Sequence, residues 1–430
     1  MQERKLKILI IGGGGREHAV GWKVAQSSRA GDLYFAPGNA GTLKLGTNVN
    51  ISATDISKLV KFAKKEKIDL TLALPDDPLA LGIVDSFQAE GLRIWGPTKA
   101  ASELEWSKAY AKDFMKRHNI PTAKYEIFTD FEKAKFYIEK GRLPIVVKAS
   151  GLALGKGVTV AQTKEEAEEV LKKILVDKIF GAAGNEVVIE EFLEGVEISI
   201  HALSDGKSWK IFLPSQDHKR IYDNDAGANT GGMGVIAPLP FVNEALMAKI
   251  EKEIIMPTIS GMAKENRPFV GCLYPGIMLT NEGPKVFEFN ARLGDPEAQT
   301  YMRLLERDLL DIVDACIDQK VDGLNIVWKN SSACNIAIAS AGYPGNYEKG
   351  KEINGIEEAE MQPDIVVFHA GTAVKDGKLV TNGGRVLGVS AIGNNLEEAL
   401  QKVYKAIERI SFEGMQYRKD IGKKALKMLK

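Results

Sequence analysis

The sequence predicts an α/β protein of three domains: an N-terminal domain on an open parallel sheet, a central domain with a mobile glycine-rich lid, and a small C-terminal α+β domain. Three stretches point there. Through residues 7–95, short apolar runs alternate with amphipathic ones, the pattern of successive βαβ units. Residues 150–160, SGLALGKGVTV, make a glycine-rich turn between β-branched runs. Residues 286–297, VFEFNARLGDPE, end a hairpin in carboxylates, an amide and a fixed cation. At 430 residues the chain exceeds one hydrophobic core, and we place the domains at 1–104, 105–330 (lid at about 122–195) and 331–430.

Hydrophobic residues make up 44% and charged residues 27%, and 57 basic side chains balance 57 acidic ones, so no global field recruits nucleic acid or an anionic membrane. Any anionic ligand must be held by local groups. Cys272, Cys316 and Cys334 are odd in number, lack metal spacing and sit among apolar neighbours, which predicts reduced core thiols in a cytoplasmic protein. The apolar run after Leu6 is too short for a signal peptide or a membrane span.

Residues 7–11 read as a buried strand, Gly12 to Gly15 as a turn and 17–27 as a helix, an arrangement that offers an anion site at the helix N-terminus. Glu17 takes the third glycine position of the dinucleotide fingerprint, and the next strand, 33–36, runs into Pro37, Gly38 and Asn39 with no acid for a ribose. A phosphate or sugar phosphate therefore fits better than NAD, with Arg16 adding charge; a purely structural tight turn fits as well. Helix 56–65, strand 69–73, turn 74–78, helix 79–89 and strand 93–95 continue the alternation. Gly96-Pro97 then breaks it.

Residues 108–118 and 132–140 are helical, and 144–148 is a buried strand ending in Lys148. The glycine stretch after it is one residue short of a P-loop, and Gly157 stands where a P-loop places Ser or Thr. With Val158, Thr159 and Val160 favouring a strand, it reads as a hairpin able to lie over phosphates, or as a plain mobile hairpin. Residues 164–176 form an amphipathic helix, and strand 186–192 runs into Glu190, Glu191, Phe192 and Leu193. Its acids could meet an adenine amino group and, through Glu197, a ribose, or form a solvated turn. Residues 215–234, nearly free of aliphatics, read as an ordered loop for a small charged substrate or as a flexible loop; His218 is assigned no catalytic role.

Residues 244–265 and 296–319 are helical, and 271–280 pairs with 285–291 as a hairpin. In the second strand, period two puts Val286, Glu288 and Asn290 on one face and Phe287 and Phe289 on the other. An acid and an amide on a stiff support suit a magnesium ion bound to a nucleotide, although a half-buried strand with a polar face explains this segment equally well. Strands 335–340, 365–368 and 385–390 and helix 396–410 complete the C-terminal region.

Seven motifs occur in one order: Gly14 to His18; Pro37 to Gly41; Lys148 with Gly151-Leu152-Ala153 and Gly155-Lys156-Gly157-Val158; Ser215 to Arg220; Asn229 to Gly234; Glu288 to Glu297; and Thr381 to Val386. Together they resemble the glycinamide ribonucleotide synthetases of the ATP-grasp superfamily across essentially the whole chain. The resemblance implies an ATP-grasp architecture and a ligase of purine biosynthesis that joins glycine to 5-phosphoribosylamine, with ATP going to ADP and phosphate through a glycyl phosphate. It places Mg²⁺ (or Mn²⁺) on Glu288 and Asn290, and Lys148, Arg292 and Asp295 at the chemistry. ATP falls to Lys108, Lys148, Gly155, Lys156, Gly157, Val158, Glu190, Glu191, Phe192, Leu193 and Glu197. The substrates fall to Gly14, Gly15, Arg16, Glu17, Asn39, Asp217, Lys219, Arg220, Asn229, Thr230, Gly231 and Gly232.

The partners implied are those small molecules only, with no nucleic acid or membrane, in a monomer or weak homodimer. Leu74, Asp76, Asp77, Trp106, Ser150 and Ala228 depart from the family pattern. Other ATP-grasp ligases or carboxylases, and a nucleotide-binding module without turnover, remain the alternatives. An NAD-dependent oxidoreductase is disfavoured by Glu17 and Pro37.

Overall fold

The computed structural model describes residues 4–152 and 157–428. Its first five strands are β1 (Leu6–Gly12), β2 (Ala30–Pro37), β3 (Thr47–Asn48), β4 (Leu70–Ala73) and β5 (Ile94–Trp95). They form one parallel sheet in the order β3-β2-β1-β4-β5. The order reverses at β1, so the turns after β1 and β4 flank a crevice at the carboxyl edge. β1 is apolar throughout because both its faces are covered. Leu9 and Ile11 pack with Leu59, Leu79 and Phe87, while Ile8 and Ile10 join a core shared with Tyr301, Leu304 and Leu310 of the central region.

Two helices differ from expectation here. The first begins at Gly15, two residues early, and the helix expected over 79–89 is split into Asp76–Ala80 and Ile83–Ala89 by the left-handed Gly82 (φ 86°).

A second sheet, of β6 (Tyr125–Phe128), β7 (Ile145–Ala149), β8 (Val158–Ala161) and β9 (Val187–Glu191), runs antiparallel in the order β6-β9-β7-β8. Lys148 pairs with Val158 across the expected hairpin, while Gly155 and Lys156 lie outside the described residues.

Then come β10 (Val196–Ser199), β11 (Ala202–Asp205), β12 (Trp209–Ile211), β13 (Gln216–Asp217), β14 (Arg220–Tyr222), β15 (Ala226–Asn229) and β16 (Gly234–Ala237). Residues 215–234, expected as a loop, thus contain a small β14–β15 hairpin. The helix expected over 244–265 is present as Glu244–Ile250 and Met256–Lys264 joined by a π turn. The one expected over 296–319 is broken at Leu305, which turns extended and bridges Trp328.

β17 (Val270–Thr280) and β18 (Gly283–Asn290) form the expected hairpin, with a bulge that corrects the simple alternation. Ile277 faces Val286 and Gly276 faces Glu288, so Phe287 is the extra residue. Val286 and Phe289 therefore both reach the core, and Phe287 turns to the cleft beside Glu288.

The last sheet takes β13 and β16 from the central region. To them it adds β19 (Ser332–Ser340), β20 (Ile365–His369), β23 (Arg385–Gly393) and β24 (Met415–Gln416), after the hairpin of β21 (Thr372–Lys375) and β22 (Lys378–Thr381). The C-terminal strands are thereby continuous with the segment around Asp217. Among the described residues no helix is long and apolar enough to cross a membrane.

Candidate active site

One cleft of about 370 Å³ is walled by all three regions: Arg16 and Asp76 from the first, Lys108, Glu190, Lys219, Glu288 and Arg292 from the second, Arg385 from the third. Its floor is β18. Glu288 and Asn290 both line it, as expected from their shared face. Burial alone would raise the Glu288 carboxyl, but Lys219 at 3.0 Å and the nearby Lys148 outweigh it and hold it at about 2. A carboxylate ionised at neutral pH beside an amide oxygen fits a hard cation that draws its other ligands from phosphate and water. No group of three or more His, Cys, Asp or Glu that could hold a metal occurs among the described residues.

Beside β18, Lys148 donates from Nζ to the Phe287 carbonyl at 2.9 Å and pairs with Glu190 Oε1 at 2.8 Å. Lys112 pairs with the other oxygen, Oε2, at 2.9 Å and donates to Thr122 Oγ1 at 2.7 Å. Glu190 is thus forked between two ammonium groups, all three side chains being buried. Burial lowers Lys112 to about 8 against the pull of Glu190. The sequence reading missed Lys112, although it stands one turn after Lys108 on the same helix, Lys108–Arg117. Lys108 donates to the Gly151 carbonyl at 3.3 Å, and the Ser150 hydroxyl accepts from the Ala109 amide, so this departure from the family pattern ties the helix start to the glycine stretch.

Arg292 is held by Glu105 Oε1 at 3.0 Å, while Glu105 Oε2 accepts the Ala291 amide at 2.8 Å. Burial pushes the Glu105 carboxyl up to about 7 even with Arg292 drawing it down. Asp295 is kept below the usual carboxylate range, burial notwithstanding, by Arg385 and Arg16. Arg385 also donates to the carbonyls of Gly231 and Asp295. Nothing in the local sequence marks Glu105 as an ion-pair partner. Arg385 lay within a quoted motif but carried no role.

Of the remaining candidates, Gly157, Val158, Asp217, Thr230 and Gly231 also line the cleft. Glu197 lies 3.3 Å from Lys219. Asp217 is pushed well above the carboxylate range by burial and by Glu297, with Lys219 opposing. Gly232 (φ 112°) packs against Asp217 so closely that an added Cβ would come within 2.5 Å of Oδ1.

Others are not brought to its wall. Glu191 accepts the Lys124 amide, Phe192 is exposed and Leu193 half-buried; Arg220 donates to the Gly227 carbonyl within the β14–β15 hairpin, and Asn229 is exposed. At the first turn only Arg16 lines the cleft. Glu17 accepts from the Gly14 amide at 2.6 Å and from Arg16 Nε at 2.7 Å, so the chain's own carboxylate takes one of the amides expected for an anion. Asn39 is spent on the turn as well, donating to the Gly13 and His369 carbonyls and accepting from the Gly41 and Thr42 amides. Gly15 lies against Gln299.

The N, ATP-grasp (A) and C domains described for phosphoribosylglycinamide synthetase match residues 6–105, 106–298 and 333–424. The phosphoribosylamine–glycine ligase of Vibrio vulnificus is 50% identical over 425 residues, covering 98% of this chain and 99% of the relative. That of Haemophilus influenzae is 50% identical over 424 residues, with 98% and 99% covered. The crystal structure of the Thermotoga maritima phosphoribosylamine–glycine ligase superposes with a TM-score of 0.83 at 37% identity, over 96% of this chain and all of that one. With every domain matched in order and half its residues identical to these relatives, the chain belongs to the phosphoribosylglycinamide synthetase family, whose central domain has the ATP-grasp fold.

Proposed function

We propose that the cleft joins glycine to 5-phosphoribosylamine at the expense of ATP, through a glycyl phosphate, in purine biosynthesis. The observation that carries this reading is the convergence of Arg16, Lys108, Glu288, Arg292 and Arg385 on one cleft from three domains, with Lys148 bonded to its wall at the Phe287 carbonyl, a charge set suited to a triphosphate, a carboxylate and a sugar phosphate together.

Glu288 and Asn290 would hold Mg²⁺ or Mn²⁺, which when bound neutralises phosphate charge and polarises the transferring phosphoryl group. Lys108, Lys148 and the hairpin Gly155–Val158, of which Gly157 and Val158 are described, would lie along the phosphates. Glu190, Glu191, Phe192, Leu193 and Glu197 would surround the nucleoside, and closure of the lid over it would exclude water. Arg292, oriented by Glu105, faces the transferring group, and Asp295, kept ionised by Arg385 and Arg16, can accept a hydrogen bond from the attacking amine. Arg16, on the turn shaped by Gly14, Gly15, Glu17 and Asn39, would meet the ribose phosphate. Asp217, Lys219, Thr230 and Gly231 would frame the amino acid, with Gly232 packed against Asp217 and with Arg220 and Asn229 in the hairpin behind them. No protein nucleophile is needed, because the carboxylate is activated on the substrate itself.

Buried free thiols at Cys272, Cys316 and Cys334 support a cytoplasmic setting. The test is ADP release on mixing the protein with ATP, magnesium, glycine and phosphoribosylamine. Release that needs a different carboxylate would assign another ligase of the same fold, and nucleotide binding without release would make this a binding module.

A further inference from the structure

Residues 415–424 pack against the outer side of the β14–β15 hairpin, away from the cleft wall, and make a clamp that the reaction as described does not use. At its centre Arg418 is 1% exposed, yet each nitrogen of its guanidinium is engaged. Nε and Nη2 fork onto the two oxygens of Asp420 at 2.8 and 2.9 Å. Nη1 donates to Asp225 Oδ1 at 2.8 Å and to the Arg220 carbonyl at 3.1 Å.

The hairpin turn it grips is strained. Asn224 and Asp225 both adopt left-handed backbone, φ 60° and 54°, a conformation that non-glycine residues keep only when their surroundings enforce it. The enforcement comes from this same segment. Asp420 accepts the Asn224 amide at 2.8 Å, the Lys419 amide donates to Asp223 at 2.7 Å, and Lys424 pairs with Asp225 at 2.5 Å.

A second bridge lies one residue from the cleft. His218 donates from Nδ1 to the Gly234 carbonyl at 2.9 Å and accepts the Gly422 amide on Nε2 at 3.2 Å, roles that only a neutral ring can combine. Its neighbours Asp217 and Lys219 both line the cleft, and the Lys219 carbonyl accepts from the Thr230 amide and hydroxyl at 2.8 Å each. Guanidinium, hairpin and cleft wall are therefore joined through these hydrogen bonds and the one-residue steps of backbone between Arg220, Lys219 and His218.

We propose that Arg418 is a positioning residue for the ligation: through Asp225, the Arg220 carbonyl and the adjoining His218 bridge, it sets where Lys219 and Thr230 present themselves to the amino-acid and ribosyl-amine substrates. This rests on the functional reading above, and wild-type turnover tests that reading separately. The measurement is steady-state kinetics of the full chain for wild type, Asp225→Asn, Arg418→Lys and Arg418→Met, with each substrate varied in turn. Asp225 is partly exposed, so Asp225→Asn keeps the test independent of whether a buried arginine can be removed without unfolding the chain.

In Asp225→Asn and Arg418→Met the KM for glycine or for phosphoribosylamine rises about tenfold while that for ATP stays within about twofold, the pattern of lost substrate positioning. Arg418→Lys recovers part of the difference, because one ammonium can reach Asp225 or Asp420 but cannot fork. An active wild type whose Asp225→Asn variant keeps all three KM values, or raises them together, or fails to fold, overturns the proposal. No wild-type ADP release would instead sink the reading on which it stands.

Discussion

Lys219 Nζ sits 3.0 Å from Glu288 Oε1 and 3.3 Å from Glu197 Oε1, one ammonium between two carboxylates carried by different strands of a single sheet. The acid proposed to hold the metal thus already has a cation beside it. Glu288 would hold such an ion in the presence of Lys219, which already engages one of its oxygens.

Glu288→Gln removes the charge at constant size. Turnover at limiting magnesium is expected to fall by at least about tenfold with the fold intact, checked by activity against magnesium concentration beside a circular dichroism spectrum. The sign of its acid behaviour follows from a carboxyl held at about 2 against 4.5 unfolded: its stabilisation is complete above pH 4.5 and lost as pH falls towards 2. Acid unfolding of the variant should therefore be shallower across that window. Unchanged turnover would remove Glu288 from the site.

Glu105 also lines the cleft and is raised, from 4.5 to about 7, by burial first. Its protonated form favours the fold below pH 4.5, and that contribution is lost as pH climbs to 7 and the carboxylate forms against Arg292. We expect kcat/KM to show an acid-side inflection near 7, and Glu105→Gln to abolish it while lowering kcat about tenfold. A profile identical in wild type and variant would dissociate Glu105 from Arg292.

Lys112 behaves in the opposite sense. Because its folded pKa is lowered from 10.5 to about 8, the unfolded chain binds more protons in between, and its effect on stability improves from pH 8 to pH 10.5. Lys112→Met should erase that rise in urea midpoint. It should also raise the KM for ATP by about tenfold, since Glu190 then leans on Lys148 alone. A variant with unaltered pH dependence and ATP affinity would refute both halves.

Gly232 is the backbone counterpart. At φ 112°, with Asp217 Oδ1 and Pro296 Cδ each 2.5 Å from an added Cβ, Gly232→Ala is expected to cost about 2 kcal/mol or more in thermal unfolding and to displace Asp217. Wild-type stability and KM values in this variant would show that the loop relaxes freely.

Much of this site was legible in the chain. The pairing of Glu288 with Asn290, the lysine near the end of β7 and the glycines after it are local patterns, readable because strand period and turn chemistry act over a few residues. The bulge at Phe287 was not, since it depends on how β17 pairs, and neither was the break at Leu305, which is extended because Trp328 bridges it. Lys112 with Glu190, Glu105 with Arg292 and Arg385 with Gly231 are 78, 187 and 154 positions apart in sequence, and no local rule selects such partners.

Sequence by itself determined the order of elements, the family and the residues proposed here to hold a metal-bound triphosphate. Tertiary structure alone decided which charges meet: that Glu17 closes its own turn, that Asn39 braces it, that two lysines divide Glu190, and that Arg418 grips the hairpin beside Lys219. The physical reason is one of range. Backbone preference and hydrophobic period are set by near neighbours, whereas an ionic partner and the burial that shifts a pKa exist only once distant strands have been packed against each other.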